Sequence, residues 1–370
     1  MFRIPYLSTA RQGIGLIRPS VISTNVTTSR HESRPPKSDE SKLILPSDLE
    51  HIDSHKYCVT HVRRFDRENY LAAIFIKDNL CRRAVFCLRA FNVELALVKD
   101  LTSDINRAKL RFHFWSKLID ELMRRNNEKD INVAKELAYY KQSPIAKELL
   151  DIFHLVNIEE DMEDQLRNLI GSRVSSKIMG DEPIESMDEL ELYCSKSNAS
   201  IYQLSYKLSL HLHNKFQAEP LIDEPSKRIC ANLGLAHGLA NVIRGIPYNA
   251  AMRCCYIPKD LLDRTRLTRE DFMIIDRVKQ KPTLDGHKIA PAVTILAHRC
   301  QELLKLVVRD QRDLPDYFRE LYLPRVAIQS YLKRLRKCNY NVCDPRLHQK
   351  NGLLALSMKL ATIYYRLPVL

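Results

Sequence analysis

Nine glycines in 370 residues narrow the fold of this chain more than any other feature. Sheet proteins of this length spend glycine on hairpin turns and bulges, and their strands show as short Val, Ile and Thr runs bounded by turn residues. No regular succession of such runs occurs here. The chain is instead rich in Leu, Ala, Lys and Glu, residues that lose little freedom in a helix. Its apolar residues also recur near the helical period. Val85, Leu88, Phe91, Leu95 and Val98 form one stripe, and Leu190, Cys194, Ile201, Leu204 and Leu208 another. Ile229, Leu233, Leu239 and Ile243 make a third. Such spacing gathers each set on one side of a helix, so the chain reads as all-α.

The same reading predicts helices over 64–80, 82–101 and 105–125, the last carrying Phe112, Trp115 and Leu118 toward the core. Ser143-Pro144 is a capping residue followed by proline at the first helical position, opening a helix to about residue 154. Ser186-Met-Asp-Glu189 has capping-box spacing ahead of a long helix to about 213. Further helices are predicted over 227–244, after a cap at Thr268 and Asp271, and over 288–309, 325–337 and 352–366. No internal repeat and no change of composition interrupts residues 51–370, which suits one compact helical domain.

Residues 1–31 carry Arg3, Arg11, Arg18 and Arg30, many Ser and Thr, and no acid before Glu32. This is the composition of a mitochondrial transit peptide. Residues 32–50, with Pro35, Pro36 and Pro46, read as a linker. Removal of 1–31 lowers the formal net charge from +13 to +9. The ten cysteines include no C-x-x-C pair, so free, mostly buried thiols are expected rather than structural zinc. No apolar run approaches the roughly 20 residues of a membrane-spanning helix, so membrane contact is expected to be peripheral.

Chemistry centres on Asn241-Val-Ile-Arg-Gly-Ile-Pro-Tyr-Asn-Ala-Ala-Met-Arg-Cys-Cys-Tyr-Ile-Pro258. This stretch resembles the second aspartate-rich segment of squalene and phytoene synthases, N-[IL]-[IL]-R-D-x-x-E-D-A-x-x-G-R-x-Y-[IL]-P. Asn241, Arg244, Ala250, Tyr256 and Pro258 fall in register, but Gly245, Tyr248 and Asn249 stand at the acidic positions. Arg83-Ala-Val-Phe-Cys-Leu-Arg-Ala-Phe91 resembles the synthase helix that reads A-F-C-R and then D-D-x-x-D. In this register Ala96 and Leu97 replace the first two aspartates, and Asp100 keeps the third. Tyr193-Cys194 resembles the Y-C opening the helix across the pocket, where a bulky Tyr202 is expected to crowd a prenyl channel.

The resemblance spans about residues 57–340 and implies a single-domain, isoprenoid-synthase-like helical bundle. In the synthases those acids hold magnesium ions against a prenyl diphosphate, and magnesium needs carboxylate or water oxygens in near-octahedral array. The retained Asp100 cannot hold a metal cluster by itself. Glu94, six residues earlier, points about 120° away on a helix and does not replace the missing acids. The expectation is a catalytically silent chain with no metal and no cofactor.

Arg89-Ala-Phe-Asn-Val-Glu-Leu-Ala96 and Leu323-Pro-Arg-Val-Ala-Ile-Gln-Ser-Tyr-Leu-Lys-Arg-Leu335 further resemble a branch of this family that serves the assembly of mitochondrial respiratory complex I (NADH:ubiquinone oxidoreductase). That resemblance implies complex I subunits or assembly intermediates as partners and a place on the matrix side of the inner membrane. Lys333, Arg334, Arg336 and Lys337 span about 160° of helix azimuth, giving either a solvated face or a contact for anionic lipid. The alternatives are an active prenyl synthase with an altered metal site and a carrier that keeps a lipid in the old cavity. No nucleic-acid partner is expected, because no aromatic-interleaved basic motif accompanies the charge. His211 and His213 lie two apart and face different ways on a helix. His237 sits among small residues as a core histidine. There is no P-loop, dinucleotide fingerprint or G-x-S-x-G.

Overall fold

The computed structural model describes residues 53–102, 104–127, 139–156, 158–174, 182–213, 224–273, 284–311, 314, 316–349 and 351–363. The expected transit peptide and linker lie outside them. Among the described residues there is no strand. The helices are α1 (Ser54–Phe65), α2 (Arg67–Ala73), α3 (Asn79–Leu101), α4 (Ile105–Asn127), α5 (Pro144–Phe153) and α6 (Glu160–Val174). They continue as α7 (Met187–Cys194), α8 (Ser200–His213), α9 (Glu224–Ala251), α10 (Lys259–Thr265) and α11 (Ala290–Asp310). The last are α12 (Asp316–Arg319), α13 (Pro324–Lys337), α14 (Pro345–His348) and α15 (Leu354–Ile363).

Local chemistry sets many of these starts. The carboxylates of Asp53, Asp66 and Asp78 accept from backbone N–H groups at Lys56, Asn69 and Cys81, filling donors that a helix start leaves open. Ser143 caps α5 with Pro144 behind it. Ser186 accepts from the Glu189 N–H, but the Glu189 carboxylate returns to Glu185 N at 2.9 Å, one residue earlier than the box predicts.

The structure differs from the sequence reading in several places. The predicted helix over 64–80 is broken at Asp66, whose φ of −141° and ψ of 65° are not helical. Its carboxylate instead takes Asn69 N at 3.3 Å and Asn69 Nδ2 at 2.9 and 2.7 Å, so the chain turns and starts again as α2. Helices α1, α6 and α10 were not predicted, although in α6 Met162, Leu166, Leu169 and Ile170 bury at helical spacing. Thr268 and Asp271 do form a capping box, but over a single 3-10 turn, Arg269–Phe272.

Helix α9 runs through the centre, against α11 on one side and the α7–α8 rod on the other. All four residues of its predicted stripe are fully buried. The α7–α8 rod is one line interrupted by a π-helical turn, Ser195–Ala199. Contact there is too close for side chains. A Cβ on Gly234 would sit 2.2 Å from the Ala199 Cα, and one on Gly238 would sit 2.5 Å from the Cys194 Cβ. Helix α3 packs on α1, α5 and α8, with Leu88, Phe91, Leu95 and Val98 inside. All ten cysteines are free thiols, eight of them buried. No helix among the described residues is long and apolar enough to cross a membrane.

Candidate functional site

Burial of one side of α3 leaves another side, Arg89, Asn92, Val93, Ala96, Leu97 and Asp100, facing a cavity of about 60 Å³. The steps of three and four between them keep these residues on one face of the helix. The α1–α2 corner contributes Phe65, Asp66, Glu68 and Asn69, and α6 contributes Arg173. Tyr193, Ser197 and Asn198 come from the α7 end and the π turn, and His237, Asn241 and Arg244 from α9. π-Turns recur at functional sites, and this one delivers two polar side chains to the cavity.

Interactions around the cavity are mostly neutral or internally paired. Arg244 Nη1 meets Glu68 Oε2 at 2.6 Å, and the guanidinium lies over the Tyr331 ring at 4.4 Å. Asp66 is buried, and burial raises its pKa against the opposing field of Arg89. The Tyr202 hydroxyl and His237 Nδ1 share a hydrogen bond of 2.8 Å. Burial, with the fields of Arg89 and Arg244, holds His237 well below the ordinary histidine range, while burial pushes Tyr202 up to about 12. Both groups are therefore neutral near pH 7. His237 is the satisfied core histidine of the sequence reading, and it also lines the cavity. Tyr202 is almost fully buried, with the Arg89 guanidinium over its ring at 4.8 Å.

The six positions aligned with the synthase acids divide in two. Ala96, Leu97 and Asp100 line the cavity beside Asn241 and Arg244; Gly245, Tyr248 and Asn249 lie outside its lining. Gly245 and Asn249 are buried in the last turns of α9, and the Asn249 carbonyl accepts from Met252 N and Cys254 N as the helix unwinds. A magnesium cluster needs several hard oxygen ligands, and Ala96, Leu97 and Gly245 offer no side-chain ligand atom. Among the described residues no three His, Cys, Asp or Glu side chains gather closely enough to hold a metal ion. These residues do not fit the group. Glu94 turns away, as its azimuth predicts, toward His61 Nε2 and Arg111 Nη1, each at 3.8 Å.

A profile of the family described as squalene/phytoene synthase matches residues 62–353. The chain belongs to the squalene/phytoene synthase family. Among curated relatives, the Mus musculus NADH dehydrogenase (ubiquinone) complex I, assembly factor 6 is 27% identical over 305 residues, which is 82% of this chain and 80% of that protein. A bifunctional lycopene cyclase/phytoene synthase of Gibberella fujikuroi is 25% identical over 269 residues, 67% of this chain and 43% of that one. A crystal structure of a dehydrosqualene synthase in complex with ligand superposes with a TM-score of 0.61 at 17% identity, covering 86% of this chain and 98% of that one. The all-helical synthase fold expected from sequence is therefore the observed one.

Within this squalene/phytoene synthase fold, sequence reasoning found the α3 and α9 faces of the cavity and missed Asp66 and Arg173. Asp66 was assigned to a helix interior. Arg173 sits at the end of α6, whose Met162, Leu166, Leu169 and Ile170 spacing was the available signal. The basic cluster is only partly a free face. Lys333, Arg336 and Lys337 are exposed, but Arg334 donates to the carbonyls of Arg346 and Gln349.

Proposed function

We propose that this chain is a non-catalytic assembly factor for mitochondrial respiratory complex I. It is imported through residues 1–31 and acts on membrane-associated assembly intermediates at the matrix face of the inner membrane. The observation that carries this reading is a pairing. Similarity to a complex I assembly factor extends over 82% of the chain, and the cavity wall presents Ala96 and Leu97 at positions where synthases carry metal-binding acids. Ionising an allylic diphosphate needs strong stabilisation of the leaving group, most of it from metal ions. The cavity volume supports the same reading, since small-molecule sites commonly offer roughly 300–1,000 Å³.

Peripheral attachment is supported by surface chemistry. Helix α15 buries Leu354, Met358 and Ala361 and leaves Leu356, Leu360 and Ile363 exposed, three aliphatics within about 60° of azimuth, with Leu353 exposed just ahead of it. It packs on α13, which carries Lys333, Arg336 and Lys337. Aliphatic residues beside basic ones suit the headgroup region of an anionic bilayer. The assembly role is tested by deleting the gene and resolving respiratory complexes on native gels. Selective loss of complex I, restored by the intact chain, is expected. Equal loss of every complex would overturn the reading.

A further inference from the structure

Helix α4 presents to solvent a face that its own packing leaves unused. The helix rests on α3, α5 and α6 through Phe112, Trp115, Leu118 and Ile119, all buried. The opposite arc carries Arg107, Leu110, Phe114 and Lys117 at steps of three and four, within about 80° of azimuth. Ile105, Lys109 and His113 form a second row along its edge. Leu110 is 68% exposed and Ile105 50%. Tyr139, 62% exposed, sets its ring against Phe114 at a centroid distance of 6.0 Å. Leu110, Phe114 and Tyr139 therefore make one apolar strip.

The charge on this face is all of one sign. From Ile105 to Ile119 the helix carries no acid. The carboxylates at the two ends of that stretch are engaged: Asp104 accepts from Asn106 N at 2.9 Å, and Asp120 holds Lys117 at 3.3 Å and Arg167 at 2.9 Å. Arg111 faces Glu94 at 3.8 Å. Arg107 and Lys109 are both exposed, and among the described residues neither forms an ion pair within 4.0 Å. One exposed leucine or lysine needs no explanation. An aromatic and aliphatic strip bordered by two unanswered cations matches the composition of protein interfaces, which are enriched in aromatic residues and Arg. A bilayer fits less well. Arg107 and Lys109 fall between Ile105 and Leu110, so no broad aliphatic face can sink below the headgroups, as the Leu356, Leu360 and Ile363 face of α15 can.

We propose that this face of α4 binds an acidic, amphipathic segment of a protein partner. The segment's carboxylates meet Arg107 and Lys109, where opposite charge steers the approach and fixes the register. Its apolar side chains cover Leu110, Phe114 and Tyr139. The proposal rests on the assembly role, for which it names the kind of contact, and leaves α13 and α15 to the membrane.

The test is photocrosslinking in intact mitochondria, with the full-length chain carrying benzoylphenylalanine in place of Leu110 or, separately, of Tyr139, and with the crosslinked peptides sequenced by mass spectrometry. Leu192, 55% exposed on α7, is the control position. Positions 110 and 139 should join the same protein, at a peptide whose carboxylates outnumber its basic residues, and position 192 should not. Adding Arg107→Glu with Lys109→Glu should lower the yield about tenfold or more. The melting temperature of the purified double variant should match the parent, since both residues are exposed and unpaired. Arg107→Gln with Lys109→Gln, which removes the charge without reversing it, should lower the yield as well. A neutral or basic peptide at both positions, adducts to lipid alone, no adduct, or an undiminished yield in the charge variants would overturn the proposal. Gene deletion tests the assembly role apart from this: selective loss of complex I together with no adduct removes the surface and keeps the role.

Discussion

Tyr202 and His237 share a 2.8 Å hydrogen bond in the interior, between α8 and α9, the helix that carries Asn241 and Arg244. Each satisfies the other's buried polar atom, and the Arg89 guanidinium covers the tyrosine ring. The pair joins α8 to α9 and fills space beside the cavity with a phenol. Tyr202 is thus both the bulky residue expected to crowd a prenyl channel and the hydrogen-bond partner of a histidine that burial and the fields of Arg89 and Arg244 keep neutral.

That pair predicts a pH dependence. Folded His237 takes a proton only well below the ordinary value of 6.5, whereas the unfolded chain takes one near 6.5. Below about pH 6.5 the unfolded state binds more protons, so stability falls with falling pH, at up to about 1.4 kcal/mol per unit for this residue. Urea unfolding at pH 7.5, 6.5 and 5.5 should show a shallower slope in His237→Asn than in the parent. Identical slopes would remove His237 from the account.

Gly234→Ala should destabilise the fold severely, by more than about 2 kcal/mol, because its Cβ would meet the Ala199 backbone at 2.2 Å. Gly171, with nothing within 4 Å of an added Cβ, is the control on another helix. Gly171→Ala should be neutral or stabilising by about 0.5–1 kcal/mol. Thermal denaturation of both variants checks the contrast, and similar melting points would contradict it.

Glu148 is fully buried and accepts from Ser54 Oγ at 2.7 Å and from Arg83 at 2.7 and 3.0 Å. It ties α1 and α3 to α5. Glu148→Ala should cost about 2–3 kcal/mol, below the full value for breaking a buried pair because Arg83 is one-third exposed and can be solvated. Hydrogen exchange should then show α1 losing protection before α9. Uniform loss across the molecule would argue against so local a tie.

Asp100→Asn should leave complex I assembly near normal, since one carboxylate beside Ala96 and Leu97 has no metal cluster to hold. Complementation of a deletion strain or cell line, read on native gels, measures this. A folded, abundant variant that fails to complement would show that the carboxylate has a working role.

Attachment to the inner membrane should weaken as salt shortens the Debye length from about 10 Å at 0.1 M to about 3 Å at 1 M. Washed membranes should release the protein into high salt or alkaline carbonate, and more readily after charge reversal at Lys333, Arg336 and Lys337. Reversal at Arg334 should act differently, because its guanidinium holds the carbonyls of Arg346 and Gln349 and its loss loosens α14 as well. Retention of the charge-reversed protein equal to the parent would point to the exposed face of α15 or to a protein partner.

The sequence by itself determined the helical class, most of the helix borders and the identity of Ala96, Leu97, Gly245, Tyr248 and Asn249 at positions where the synthases it resembles carry acids. Those are matters of period, capping chemistry and side-chain identity, which are local. Only the tertiary structure decided that Ala96, Leu97 and Asp100 share a cavity while Gly245, Tyr248 and Asn249 stand outside its lining. It alone brought Arg173 of α6 to Asn92 of α3, 81 residues away, and turned the chain at Asp66 to close the cavity's rim. The reason is physical. A helix repeats every few residues, so its buried face can be counted along the chain. Which faces meet depends on close approaches such as Gly234 on Ala199, and on burial that strips charges of water. Arg89 looked like one more arginine on an amphipathic helix until packing removed its solvent and laid its guanidinium over the Tyr202 ring.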